Sequence, residues 1–351
     1  MFITILLLLK FLLYSEAEDF QTTYQAAQNG DAKAQHNLGF MYAEGLGVQQ
    51  DTAKAMKWYL QAANQGVVRS QYNLGIWYET GRGVKQDYTQ ALKWYQLAAD
   101  QGFAMAQSNL GAMYDTGSGV SQDYAQAIKL YQQAADQGYS VAQTNLGGMY
   151  DAGRGVQQDY ELAFNWYQKA ANQGEAIAQY NLGVMYYTGK GVSQDYSQAQ
   201  SWSRFAAEQG YALAQSNLGL MYAEGKGVPL SYEQALKWYR IAAEQGEAVA
   251  QKNLGDMYVD GRGVSQSYVE AVRLYRLAAA QGEANAQYNL GVMHANGEGL
   301  PQDVVSAYVW FSVASSNGNE KARQLMEQVA RVLTPQDLTQ AQERISELIE
   351  K

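Results

Sequence analysis

The sequence predicts an all-α solenoid built from helix-turn-helix repeats. Three observations carry that prediction. First, the stretch Ala-Gln-x-Asn-Leu-Gly-x-Met-Tyr, met at Ala34–Tyr42, returns around Asn73, Asn109, Asn145, Asn181, Asn217, Asn253 and Asn289 at a constant spacing of 36 residues. A fixed period in this range marks stacked supersecondary units. Second, residues within each copy follow helical spacing, as Ser70, Leu74 and Trp77-Tyr78 do. Third, each such segment stops at a glycine, and the second one of every copy opens on Asp or Ser, the residue types that end and cap helices.

Taken in order, the chain opens on an apolar run, Met1 to Leu9, interrupted by Lys10 and resumed from Phe11 to Tyr14. Ser15-Glu16-Ala17 then places small residues where a signal peptidase reads. Residues 1–17 are expected to be a signal peptide cleaved after Ala17, which implies a periplasmic or secreted protein. The run is short for a membrane span of ~20 residues. No other segment could span a bilayer, so no span is expected in the mature chain.

Asp19 to Asn29 reads as a lone helix, with Phe20, Tyr24 and Ala27 on one face and Gly30 as its stop. Residues 18–30 are therefore expected to form an N-terminal cap. Eight repeats follow over 31–318. In the second, helix A is expected from about Ser70 to Glu79, ended by Gly81; Gly81-Arg82-Gly83-Val84 is the turn. Asp87 should cap helix B, with Gln90 three residues on in a capping-box-like pair. Ala91, Trp94-Tyr95 and Ala98-Ala99 form the body of helix B, and Gly102 ends it.

Gly39 and its equivalents lie inside helix A, where glycine costs ~1 kcal/mol against alanine. The expected reason is close approach of helix B through Ala55 and Ala62. Leu38, Met41, Trp58 and Tyr59 should fill the core. The fifth copy departs at Gln200, Ser201, Ser203 and Phe205, and Phe205 is the candidate to fill the place of the aromatic missing at Ser203. The eighth has His294 for Tyr and a more apolar helix B. Glu320–Val332 and Pro335–Ile349 read as terminal helices, so 319–351 is expected to cap the C-terminal end, with Pro335 at the first helical position.

Leu74-Gly75-x-x-Tyr78 followed by Ala91-x-x-x-Tyr95-x-x-Ala98 resembles the tetratricopeptide pattern. The 36-residue period and the Gly81-Arg82-Gly83-Val84 turn narrow this: the chain resembles the Sel-one-like repeat proteins over roughly Asp31 to Gly318. The resemblance implies a right-handed α/α superhelix whose A helices line the concave face and bind other proteins. Members of that family act as adaptors and scaffolds in signalling, envelope complexes, quality control and bacterial contact with hosts. Many bacterial members are exported, and catalysis is not a general property.

On that view the binding residues are those the repeat leaves variable: the positions of His36, Phe40 and Ala43, which share one helical stripe. The candidates are Tyr72, Ile76, Asp115, Asp151, Tyr180, Val184, Tyr187, Leu220 and Tyr288. The recurring Asn beside the stripe would hold either a bound peptide's backbone or the solenoid's own. Arg82, Arg154, Lys190, Lys226 and Arg262 share one turn position and form a basic ladder along one edge.

Composition bounds the chemistry. A formal charge of −9 argues against nucleic acid, which needs clustered Lys and Arg. With no Cys, disulfides, thiolate metal sites and Cys nucleophiles are excluded. No metal and no cofactor is expected. His36 and His294, in the first and eighth copies at ~10 Å per packed layer, are too far apart to act together. The Gly-x-Gly turns follow a helix and lack a third Gly, so they are no nucleotide fingerprint. Asp115 and Asp151, in equivalent places of adjacent copies, could in principle serve glycoside hydrolysis but read first as two solvated groove residues. The reading is an exported, non-enzymatic scaffold that takes a protein or peptide ligand in its helix-A groove. The alternatives are an envelope structural factor contacting peptidoglycan or glycan machinery, and a glycan or cell-wall hydrolase.

Overall fold

The computed structural model describes residues 19–349, and among these every regular element is a helix. The leader expected over residues 1–17 lies outside the described residues. The packing divides between Gln173 and Gly174 into two compact units. The first contains α1 (residues 19–28), α2 (Ala32–Glu44), α3 (Thr52–Asn64), α4 (Val68–Thr80), α5 (Tyr88–Asp100), α6 (Ala104–Thr116), α7 (Tyr124–Asp136), α8 (Ser140–Ala152) and α9 (Tyr160–Ala171). The second contains α10 (Ala176–Thr188), α11 (Tyr196–Glu208), α12 (Ala212–Glu224), α13 (Tyr232–Glu244), α14 (Ala248–Asp260), α15 (Tyr268–Ala279), α16 (Ala284–Asn296), α17 (Val304–Ser316), α18 (Glu320–Ala330) and α19 (Pro335–Ile349). Within each unit consecutive helices pack pairwise, A against B and B against the next A.

The turn inside each repeat follows from two residues. Gly81 ends α4 at φ 74°, and its amide donates to the Trp77 carbonyl. Such left-handed closure is open to glycine at little cost. Asp87 then accepts from the amides of Thr89 and Gln90, both at 3.0 Å. The capping box is only half made, however. The Asp87 amide donates to the Tyr78 carbonyl at 2.9 Å, so the Gln90 side chain is not needed there, and the same bond locks helix B to the end of helix A. Helix A also starts earlier than expected, at Val68. Val67 caps it with no side-chain hydrogen bond, so nothing in the residue types marks that start.

The mid-helix glycines have a different cause from the one expected. Ala55 and Ala62 are fully buried, but the group that excludes a side chain at Gly39 is the ring of Tyr59. A Cβ there would fall 2.7 Å from its Cδ1. Gly75, Gly111, Gly147, Gly219 and Gly255 meet Tyr95, Tyr131, Tyr167, Tyr239 and Tyr275 in the same way, and Gly291 meets Phe311. In the fifth copy Gly183 faces Ser203, which is completely buried. Phe205 does not compensate: it is 51% exposed and sits edge-on to Trp202 on the surface.

Neighbouring repeats are joined by a ladder of buried amides. Gln101 Nε2 donates to Gln71 Oε1 at 2.7 Å, and Gln71 Nε2 donates to the Ala63 carbonyl at 3.1 Å. Gln137, Gln107 and the Ala99 carbonyl repeat the relay, as do Gln245, Gln215 and the Ala207 carbonyl in the second unit. At the start, Gln35 reaches the Ala27 carbonyl of α1 at 3.2 Å. The lone helix thus supplies what a preceding helix B would. A glutamine in a core would be costly unpaired; here each has partners on both sides.

The second unit ends in two covers on α17. Ala322 on α18 joins Ala307, Phe311 and Ala314. Ala341 and Ile345 on α19 bury Val309 and Val313. This explains why the eighth helix B is so apolar. At α19, Thr334 and Asp337 each accept from the other's amide, so a complete capping box occurs here.

Candidate protein-binding face of the A helices

In the first unit the expected stripe opens into a cavity of about 470 Å³ between α2, α4 and α6. Its walls are His36, Asn37, Phe40, Arg69, Tyr72, Asn73, Phe103 and Met105. Tyr72 is held edge-on to Phe103, ring centroids 5.2 Å apart. Phe40 and Met105 remain 48% and 41% exposed. The His36 Nδ1 is 2.8 Å from Ser70 Oγ, and burial, then the charge of Arg69, lowers the imidazole pKa. At neutral pH the wall therefore carries one cation, Arg69.

In the second unit Tyr180 and Leu220 come together in a cavity of about 140 Å³ with Leu213, Ser216, Asn217 and Val249. Tyr180 packs edge-on to Tyr211 at 5.3 Å, and burial raises its hydroxyl pKa. Val184 is half-buried and does not line this cavity. Tyr288 is apart from it, tilted against Phe311 at 5.9 Å within the core beneath α18.

Several expected groove residues are instead fasteners between repeats. Arg154, in the turn of the next repeat, donates to both Asp115 oxygens, at 2.9 and 3.2 Å. A carboxylate held in this way is not arranged as the acid of a hydrolytic pair. Asp151 is half-buried, and its charge adds to burial in raising the Tyr167 hydroxyl. The Tyr187 hydroxyl donates to Glu224 at 2.7 Å and accepts from Lys226 at 2.9 Å. Ile76 packs against the cores on either side of α4. The basic ladder is matched by acids: Arg82 with Glu44, Arg154 with Asp115, Lys226 with Glu224, Arg262 with Asp260. In several copies the recurring Asn bonds a side chain of the solenoid itself, as Asn289 does to Asp256 at 3.0 Å. Asn109 donates to the Tyr95 hydroxyl at 3.1 Å, and Asn217 to Ser203 Oγ at 3.2 Å, each reaching the preceding helix B.

The structure adds a row that the stripe omits. The second residue of helix A lies three positions before the stripe and so on the same face. In the first unit this row holds Lys33, Arg69, Met105 and Val141; in the second, Ile177, Leu213, Val249 and Asn285. The apolar members are all exposed. Extending the i, i+3 pattern one turn towards the helix start would have found them.

A profile of the Sel1 repeat matches residues 32–67, 68–103, 104–139, 140–175, 176–211, 212–247, 248–283 and 284–319. The chain belongs to the Sel1 repeat family. A Sel1 repeat solenoid is typically a non-catalytic scaffold for protein–protein interaction. The crystal structure of a Sel1 repeat protein from Oxalobacter formigenes is 35% identical, over 91% of this chain and 94% of that one, with a TM-score of 0.64. A protective antigen present in uropathogenic Escherichia coli strains, displaying an SLR fold, is 32% identical over 95% of this Sel1 repeat chain and 94% of its own, with a TM-score of 0.44. No curated protein matches the sequence. Among the described residues, no helix is long and apolar enough to cross a membrane, and no group of His, Cys, Asp and Glu is placed to hold a metal ion.

Proposed function

We propose that this Sel1 repeat protein is an exported scaffold that binds an extended segment of another protein across its A helices. The observation that carries the reading is the cavity at Tyr72, where Phe40 and Met105 are left exposed beside ordered aromatic rings. Asn37 is exposed at the edge of the same opening, where a peptide's amide groups would pass. Side-chain pockets flanked by amides suit a main chain with alternating apolar residues. Burying exposed apolar surface at ~25 cal/mol per Å² supplies the attraction. The export half of the reading rests on the apolar run and the Ser15-Glu16-Ala17 site.

The test is crosslinking capture from the source cell with the wild-type chain and a Phe40→Ala/Met105→Ala variant. Both side chains are exposed, so the fold should persist. One dominant protein partner lost in the variant supports the reading; undiminished capture rejects this groove. Mass spectrometry of the N-terminus of the captured chain tests export, since an intact Met1 rules out cleavage.

A further inference from the structure

Leu130 departs from the rule of the repeat. Six copies carry tryptophan at its place, and the other exception is Leu274. In the first unit the equivalent indoles of Trp94 and Trp166 are buried. Beside Leu130 a cavity of about 440 Å³ opens between α5 and α7, floored by α6. That size lies in the range of small-ligand sites, ~300–1,000 Å³. It shares no lining residue with the cavity at Tyr72.

The chemistry of the lining is unusual for such a site. Most ligand pockets are apolar with a few polar groups; here carboxamides dominate. Gln96, Gln107, Gln126 and Gln133 all face the cavity. Gln107 is buried and fixed at the floor, its amide on the Ala99 carbonyl and its oxygen accepting from Gln137. Gln96 gives its amide to Asp100 at 2.7 Å. The side chains of Gln126 and Gln133 and the Lys129 ammonium make no hydrogen bond among the described residues.

These groups narrow the ligand. Lys129 and Asp100 stand in the same lining, so the wall carries no net charge for a phosphate or other anion. A hard cation is disfavoured too, because the single carboxylate is opposed by Lys129 in the same wall and the Gln107 oxygen already accepts from Gln137. Carboxamides present a donor and an acceptor side by side, which matches a hydroxyl that does both. Tyr114 and the edges of the buried Leu130 and Ala99 make up the small apolar part of the lining, against which the C–H face of a ring can lie. We propose that this cavity is a binding site for a neutral saccharide of one or two sugar units.

The test is isothermal titration calorimetry of the full chain with maltose and with N,N′-diacetylchitobiose. At least one should bind with a Kd of about 1 mM or tighter. Leu130→Trp, which installs the residue of the neighbouring repeats, should weaken that binding by about tenfold or more without lowering the melting temperature. Gln126→Ala/Gln133→Ala alters only exposed side chains and should weaken it as well, which keeps the test decisive if the tryptophan variant fails to fold. Failure of both disaccharides to bind overturns the proposal, as does unchanged binding by the Gln126→Ala/Gln133→Ala variant. Tighter binding of trialanine or inorganic phosphate than of either sugar also overturns it.

Discussion

The ring of Tyr95 occupies the space that a side chain on Gly75 would need: a Cβ there would fall 2.4 Å from both Cδ1 and Cε1. In an exposed helix, Gly→Ala stabilises by ~1 kcal/mol. Here overpacking of ~1–3 kcal/mol outweighs that gain. Gly75→Ala is expected to lower the melting temperature. Tyr95→Ala should make the same alanine nearly harmless, so the double variant will be much less destabilised than the sum. Urea unfolding of the two singles and the double checks this.

Gln71 bonds to the repeats on either side, accepting from Gln101 and donating to the Ala63 carbonyl. Gln71→Ala strands the Ala63 carbonyl in a buried setting and unties the exposed Gln101. The expected loss is ~1–3 kcal/mol, seen as a lower midpoint in denaturant. Gln71→Glu should also destabilise, because a carboxylate cannot donate to Ala63.

The helix-B tyrosines make the fold sensitive to alkali. Burial pushes the Tyr59 hydroxyl up to about 12, and it pushes Tyr95, Tyr131, Tyr167, Tyr239 and Tyr275 upward too. A raised folded pKa means stability that is fully present below the unfolded value of ~10 and lost as pH rises through the folded one. For Tyr59 the loss between pH ~10 and ~12 is of order 3 kcal/mol. Thermal melts should therefore fall steeply above pH ~10, and phenolate absorbance should appear together with loss of helicity. Tyr59→Phe should retain more of its neutral-pH stability over that range than the wild type.

Phe205 is exposed where the first copy carries Gln61. Phe205→Gln should change stability by no more than ~0.5 kcal/mol, the usual range for such surface changes. It should also reduce self-association at high concentration, measurable by light scattering. A large loss of stability would mean that the ring does fill the fifth copy after all.

Much of this fold is legible in the residues, because its punctuation is local. Gly81 and Asp87 act through their own backbone and side chain, so stops and caps read directly. The start of helix A in the second copy does not, since Val67 has no capping group, whereas Asp31 caps α2. The partner of Gly75 is not legible from pattern alone: Ala91 and Tyr95 recur with equal regularity, and packing shows that the Tyr95 ring is what touches. At the candidate site, Tyr72, Tyr180 and Leu220 line cavities. Asp115 and Tyr187 do not offer themselves, because their partners Arg154 and Lys226 lie 39 residues on, beyond any local pattern. Arg69 and Met105 lie one helical turn before the stripe, outside the positions that its variability marks.

The amide ladder has a consequence for how this chain can change in length. Inserting or deleting one residue within α5 swings Gln101 by ~100° around the helix and shifts it ~1.5 Å along it. The link between the two glutamines is then broken. Point substitutions on the stripe leave the ladder untouched, whereas a frame error within a repeat is felt at the next layer. The 36-residue spacing is thereby proofread by the core, while whole repeats remain the unit that can be gained or lost without penalty.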